Sequence, residues 1–173
     1  MCYSCAVTGE ATPLRIRIVK SSRHSKIVGS FGEGLVCNWL SRSGFEVSIV
    51  DHSGIDLVAY HKASKQRLGI SVKSRTRLPN TESESVYIFR RSTDREHLLA
   101  SCEAFGCEPW LAIYVESACA GELFLTALAN YDRKYRAGKN VEGWSMATSQ
   151  LRRYAGDADI KHVHVDFTVR NWW

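Results

Sequence analysis

The chain of 173 residues lacks any long apolar run. Its longest, Trp110 to Val115, is six residues, and a helix that crosses a bilayer needs about 20. The first residues, Met1-Cys2-Tyr3-Ser4-Cys5, contain no basic stretch leading into an apolar segment and do not read as a secretory leader. No membrane association and an intracellular, cytoplasmic location are therefore expected. Outside a secretory context, the six cysteines are not expected to form a disulfide framework. Cys2 and Cys5 make a CxxC, but there is no second CxxC and no HxxxH to complete a zinc site. His162 and His164 merely alternate along a strand-like stretch. Internal repeats and low-complexity tracts are also missing.

What is present is an ordinary globular composition, 45% hydrophobic and 24% charged, in a length that suits one domain with one sizeable core. The formal charge is +5, unevenly spread: residues 1–80 hold 12 basic against 5 acidic side chains, residues 81–173 hold 11 against 13. A basic half fits a polyanionic partner such as nucleic acid, and it equally fits a solvated surface.

The periodicities read as mixed α/β. After an N-terminal arm with a strand-like stretch at Leu14–Val19, a helix is expected over Gly29–Ser43. Ser30 is its N-cap, Glu33 stands at the capping-box position, and Leu35, Val36, Trp39 and Leu40 form its apolar stripe. Strands follow at Phe45–Val50, Ile55–Tyr60 and Arg67–Ser74, separated by turns at Asp51–Gly54 and His61–Gln66, with a fourth at Val86–Arg90. Thr93, with Glu96 three residues on, opens a second helix whose buried stripe is Leu98, Leu99, Cys102 and Phe105, closed by Gly106. Pro109–Glu116 and Glu122–Leu128 read as a strand pair. Residues 131–155 are polar with scattered aromatics and a short helix near Ala147–Tyr154, and Lys161–Val169 is a last strand.

One constellation carries chemistry. Ile55, Leu57 and Ala59 alternate with Asp56, Val58 and Tyr60, and Leu68, Ile70 and Val72 alternate with Gly69, Ser71 and Lys73. If these strands pair as a hairpin, Asp56 and Lys73 meet on one face. A carboxylate in a central strand needs a cation. Lys73 can serve as a structural partner, or a divalent metal can sit there, with Lys73 orienting water.

Gly54-Ile-Asp56-Leu-Val-Ala-Tyr60 followed by Gly69-Ile-Ser71-Val-Lys73-Ser-Arg75 resembles the core of the PD-(D/E)xK, restriction endonuclease-like nuclease superfamily. The helix carrying Glu33 and then Gly44-Phe45-Glu-Val47 matches the usual lead-in. Leu98 to Gly106 and Glu108 to Ile113 are similar to the helix and strand that follow the core in archaeal-type Holliday-junction resolvases. The resemblance implies a three-layer core, a central mixed sheet flanked by helices, over residues 29–128, with a basic arm at 1–28 and a C-terminal extension at 129–173.

The resemblance further implies Mg²⁺- or Mn²⁺-dependent hydrolysis of phosphodiester bonds, in branched or otherwise structured DNA. RNA stays open, and two-fold relatives leave a homodimer as an expectation. Asp56 would be the central metal ligand, Glu33 an auxiliary one, and the backbone carbonyl of Val72 would complete the shell. Lys73 would orient water and stabilise phosphate charge. Lys20, Arg23, Lys26, Ser74, Arg75 and Arg77 would contact phosphates. Ser71 departs from the pattern, because the position two before the lysine is normally Glu or Asp. Either Glu33 supplies the missing charge, or the site works slowly with weakly held metal, or the chain is an inactive nucleic-acid-binding or scaffold module. Glu33 has a second reading as a helix cap. Trp172 and Trp173 would stack on bases, dock on a second subunit, or tuck against the sheet.

Overall fold

The computed structural model describes residues 18–136 and 142–168. Leu14–Arg17, Cys2, Cys5, Trp172 and Trp173 lie outside that range. Six strands form one mixed sheet: β1 (Phe45–His52), β2 (Ile55–His61), β3 (Arg67–Thr76), β5 (Glu108–Glu116), β6 (Ala120–Ala127) and β8 (Ile160–Asp166), in that spatial order. Among the described strands of this sheet only β3 and β5 run parallel; the other neighbouring pairs are antiparallel. The fourth strand of the sequence, β4 (Val86–Phe89), leaves this sheet and pairs with β7 (Glu142–Trp144) in a small two-stranded one.

Helix α1 (His24–Arg42) covers one face. Val28, Val36 and Leu40 pack on Leu57, Ala59, Leu68, Ile70, Ala112 and Tyr114. The helix starts five positions before the expected Gly29, so Ser30 lies inside it and the Ser30–Glu33 capping box does not exist. Its start is fixed instead by tertiary contacts: the His24 ring bonds the Thr76 hydroxyl at 2.8 Å, and Lys20 donates to the Thr76 carbonyl at 2.8 Å.

The other face carries α2 (Ser92–Phe105), α3 (Leu128–Lys134) and α4 (Thr148–Ala155). Here Leu98, Cys102, Leu111, Ile113, Val115, Phe124, Trp144 and Tyr154 build the larger half of the core. The arrangement is a three-layer α/β fold: the periodicity anticipates the mixed α/β class, and the resemblance implies the three layers. Two details of α2 differ. Its capping acid is Asp94, which accepts the backbone N–H groups of Arg90 (3.0 Å) and Arg91 (3.2 Å), rather than Glu96. Its buried face is narrow: Leu98 and Cys102 are buried, whereas Leu99 and Phe105 are 44% and 47% exposed. Phe105 instead meets the edge of the His52 ring, centroids 5.5 Å apart. Gly106 closes the helix in the left-handed conformation, as expected.

Residues 128–136 and 142–166 are knitted into the core. Arg95 of α2 binds Asp132 of α3 at 2.6 Å and Glu142 of β7 at 2.5 Å, Trp144 stacks on Tyr154 with centroids 4.1 Å apart, and β8 completes the main sheet. No helix among the described residues is long and apolar enough to cross a membrane.

Candidate active site

The expected hairpin of β2 and β3 forms. β2 and β3 pair antiparallel, with Tyr60 opposite Arg67, Val58 opposite Gly69 and Leu57 opposite Ile70. There the ladder stops. The reason lies in β2: Leu57 and Ala59 pack toward α1, but Ile55 packs with the core half under α2. Strict alternation would put all three on one face. The strand therefore turns between Ile55 and Leu57, and Asp56 sits at the turn.

Gly54 explains why the strand turns here. Its φ is +98°, which disfavours a side chain, and a Cβ at that position would lie 2.4 Å from the carbonyl carbon of His97 and 2.7 Å from the nitrogen of Leu98. The β1–β2 turn thus rests directly on the backbone of α2. Ser101 locks it there by donating to the Ser53 carbonyl at 2.5 Å.

Freed from the ladder, Asp56 uses its side chain where a strand would use its backbone. Its Oδ2 accepts the N–H of Val72 at 2.6 Å. Val72 is the residue between Ser71 and Lys73, so the carboxylate lies against the one stretch of β3 that the motif singles out. An extended strand sends a residue's carbonyl to the same edge as its N–H, so the Val72 carbonyl also faces this gap. The second oxygen of Asp56 has no hydrogen bond among the described residues. A structural Asp56–Lys73 ion pair does not form: Lys73 makes neither an ion pair nor a hydrogen bond with the described residues.

Ser71 and Lys73 instead line a polar cavity of about 210 Å³ under the start of α2, walled by Ser53, Gly54, Phe89, Asp94 and His97. Ser71 is only 3% exposed, yet its hydroxyl has no hydrogen-bond partner among the described residues. Asp94 and His97 carry the sequence signal of an ordinary first turn of a helix, and the docking of Gly54 on α2 brings them to β3.

Glu33 lies in the middle of α1, the layer on the other side of the sheet from this cavity, and is half-buried. Burial and then the Glu33 charge raise the pKa of the Cys37 thiol one turn away. Mg²⁺ and Mn²⁺ take oxygen donors, and Mg²⁺ keeps several waters and needs only one or two carboxylates. The Asp56 carboxylate and Val72 carbonyl are donors of that kind. Among the described residues, no group of three or more His, Cys, Asp and Glu side chains stands ready for a metal, so any such site is sparse.

The basic residues divide. Arg77 is consumed internally by Glu84 (3.3 Å) and by the carbonyls of Glu84 and Ser85. Lys20 holds Thr76. Ser74 is buried beneath Gly32 of α1, which withdraws it from the expected phosphate contacts. Arg23 and Lys26 are exposed. Among the described residues Arg75 bonds only the Ser74 carbonyl, and its pKa is lowered by burial, then by the charges of Arg90 and Arg77. Arg90 is thus a further basic group near Arg75 that its sequence context does not mark.

No family model matches the chain, and no curated protein matches it. Among solved structures it is similar to Hjc, a Holliday junction resolvase from the archaeal hyperthermophile Archaeoglobus fulgidus. The TM-score is 0.45, with 19% identity, over 68% of this chain and 98% of that one.

Proposed function

We propose that the chain is a divalent-metal-dependent nuclease that hydrolyses phosphodiester bonds in DNA, with branched or structured DNA as the substrate to test first. The observation that carries the reading is the Asp56 carboxylate held at 2.6 Å on the amide between Ser71 and Lys73, at the point where β2 and β3 part. Asp56 and the Val72 carbonyl would hold Mg²⁺ or Mn²⁺, with Glu33 as an auxiliary acid. The cation, when bound, supplies Lewis acidity toward a phosphoryl oxygen and toward water.

The chain's own groups do the rest. Lys73, without a partner among the described residues, orients the attacking water and balances charge on the phosphate. The amide of Val72 fixes the carboxylate of Asp56 so that it does not reorganise during the reaction. Arg75 and Arg90 present guanidinium groups to the strand, and such contacts set register without reading sequence. The test is cleavage of four-way-junction, single-stranded and duplex DNA with Mg²⁺ or Mn²⁺. Wild type should cut, and Asp56→Asn should lose cutting by about 100-fold or more. Equal cutting by both proteins contradicts the reading.

A second reading has its own support. Ser71 removes one formal negative charge from the motif, and no three-ligand cluster exists among the described residues. On that reading the chain binds nucleic acid without cutting it. Binding that weakens steeply with salt, without cleavage in any metal, would establish this alternative.

A further inference from the structure

The cavity beneath α2 has a composition that metal chemistry does not explain. Its walls hold one ammonium unpaired among the described residues, Lys73, one imidazole, His97, and two hydroxyls, Ser53 and Ser71. Asp94 is the single acid, and its Oδ2 already accepts two backbone N–H groups. The start of α2, a helix of 14 residues, forms one wall through Asp94 and His97, so the positive end of its dipole lies beside the space. Ser71 is nine-tenths buried and more, lines this space, and spends its hydroxyl on no described protein group. A hydroxyl that opens on this space with no described partner, beside a cation with none, is an anion's environment, not a cation's. The surroundings have the same sign: Arg75, two residues beyond Lys73 on the same strand, is crowded by Arg90 and Arg77.

We propose that this cavity is a metal-independent seat for a phosphate group, in which Ser71 donates a hydrogen bond from the position where the resembled motif carries an acid. Lys73 and His97 supply the remaining donors. An acid at position 71 would repel the phosphate from the same space. The exchange of carboxylate for hydroxyl thus converts one wall from cation-binding to anion-binding, next to Asp56. The seat rests on the reading of nucleic acid as ligand, and its phosphate can come from a strand's 5′ end or from its interior.

The experiment is a titration of the full chain in EDTA, first with inorganic phosphate and then with 5′-phosphorylated and 5′-hydroxyl oligonucleotides of one sequence. Wild type should bind inorganic phosphate saturably. Lys73→Gln and Ser71→Glu should each weaken it by about tenfold or more, and Ser71→Ala by a few-fold. Ser71→Ala and Lys73→Gln remove donors without burying a new charge, so they keep the test valid should Ser71→Glu unfold.

A preference for the 5′-phosphorylated strand that disappears in Lys73→Gln supports a terminal phosphate. Equal binding of both strands, each displaced by inorganic phosphate, supports an internal one. No phosphate binding in EDTA, binding only with Mn²⁺, or binding unchanged in Lys73→Gln and Ser71→Ala overturns the seat. Failure of the nuclease reading looks different: phosphate still binds, but neither wild type nor Asp56→Asn cuts DNA in any metal.

Discussion

Gly54→Ala should destabilise the protein more than its size suggests. Two effects add. The backbone at φ +98° penalises any L side chain, by about 1–3 kcal/mol. The new methyl would also lie 2.4–2.7 Å from backbone atoms of His97 and Leu98, and backbone, unlike a side-chain tip, cannot swing aside. Overpacking of this kind costs about 1–3 kcal/mol. The sum, about 2–6 kcal/mol, is a large share of a typical domain stability of about 5–15 kcal/mol. Gly34→Ala is the internal control. It sits within α1, has ordinary φ, and a Cβ there meets nothing within 4 Å, so it should stabilise by about 0.5–1 kcal/mol. Urea unfolding reads both. With a slope of about 1–3 kcal/mol per molar, the Gly54→Ala midpoint should fall by about 1 M or more, while that of Gly34→Ala rises. A Gly54→Ala midpoint equal to wild type would refute the claim that the β1–β2 turn is wedged on α2, and with it the account of why Asp56 leaves the ladder.

Stability should also depend on pH through β8. Hydrogen bonds to Asp166 and then Glu122 raise the pKa of His164, so its contribution is complete below about 6.5 and is lost as pH rises through the raised folded value. Burial pushes Glu122 up, but the hydrogen bonds from His162 and His164 outweigh it, so its contribution is present above about 4.5 and is lost as pH falls through the lowered folded value. Urea unfolding should therefore show lower stability at pH 8 than at pH 6, and His164→Gln should reduce the difference; an unchanged difference would contradict the assignment. Arg95→Met should lower stability by about 1–3 kcal/mol, because Asp132 and Glu142 then share Arg136 alone as a counter-charge among the described residues. Thermal unfolding measures it, and a change below about 0.5 kcal/mol would place Arg95 among ordinary surface charges.

The apolar periods made the strand ladder from Phe45 to Thr76, the β5–β6 pair and the C-terminal close of α2 legible, because burial on a regular lattice writes itself into the sequence. What failed was whatever rests on contacts between distant elements. α1 begins at His24 because Thr76, 52 residues away, receives its ring. α3 and β7 are short, and the Arg95 hub and the Trp144–Tyr154 stack hold them in place, not a local period. The candidate site divided in the same way. Asp56, Ser71 and Lys73 were legible from strand parity and spacing. The turn at Ile55, the amide that Asp56 takes from Val72, and the arrival of Asp94 and His97 depend on Gly54 touching α2, which no local pattern announces.

The most direct test of the proposed chemistry is a crystal structure soaked in Mn²⁺, read by anomalous scattering. The account predicts a peak about 2.0–2.3 Å from a carboxylate oxygen of Asp56, facing the Val72 carbonyl, and absent from Asp56→Asn crystals. Full soaking with no peak at Asp56, or a peak only at Glu122, His162 and His164, would contradict it.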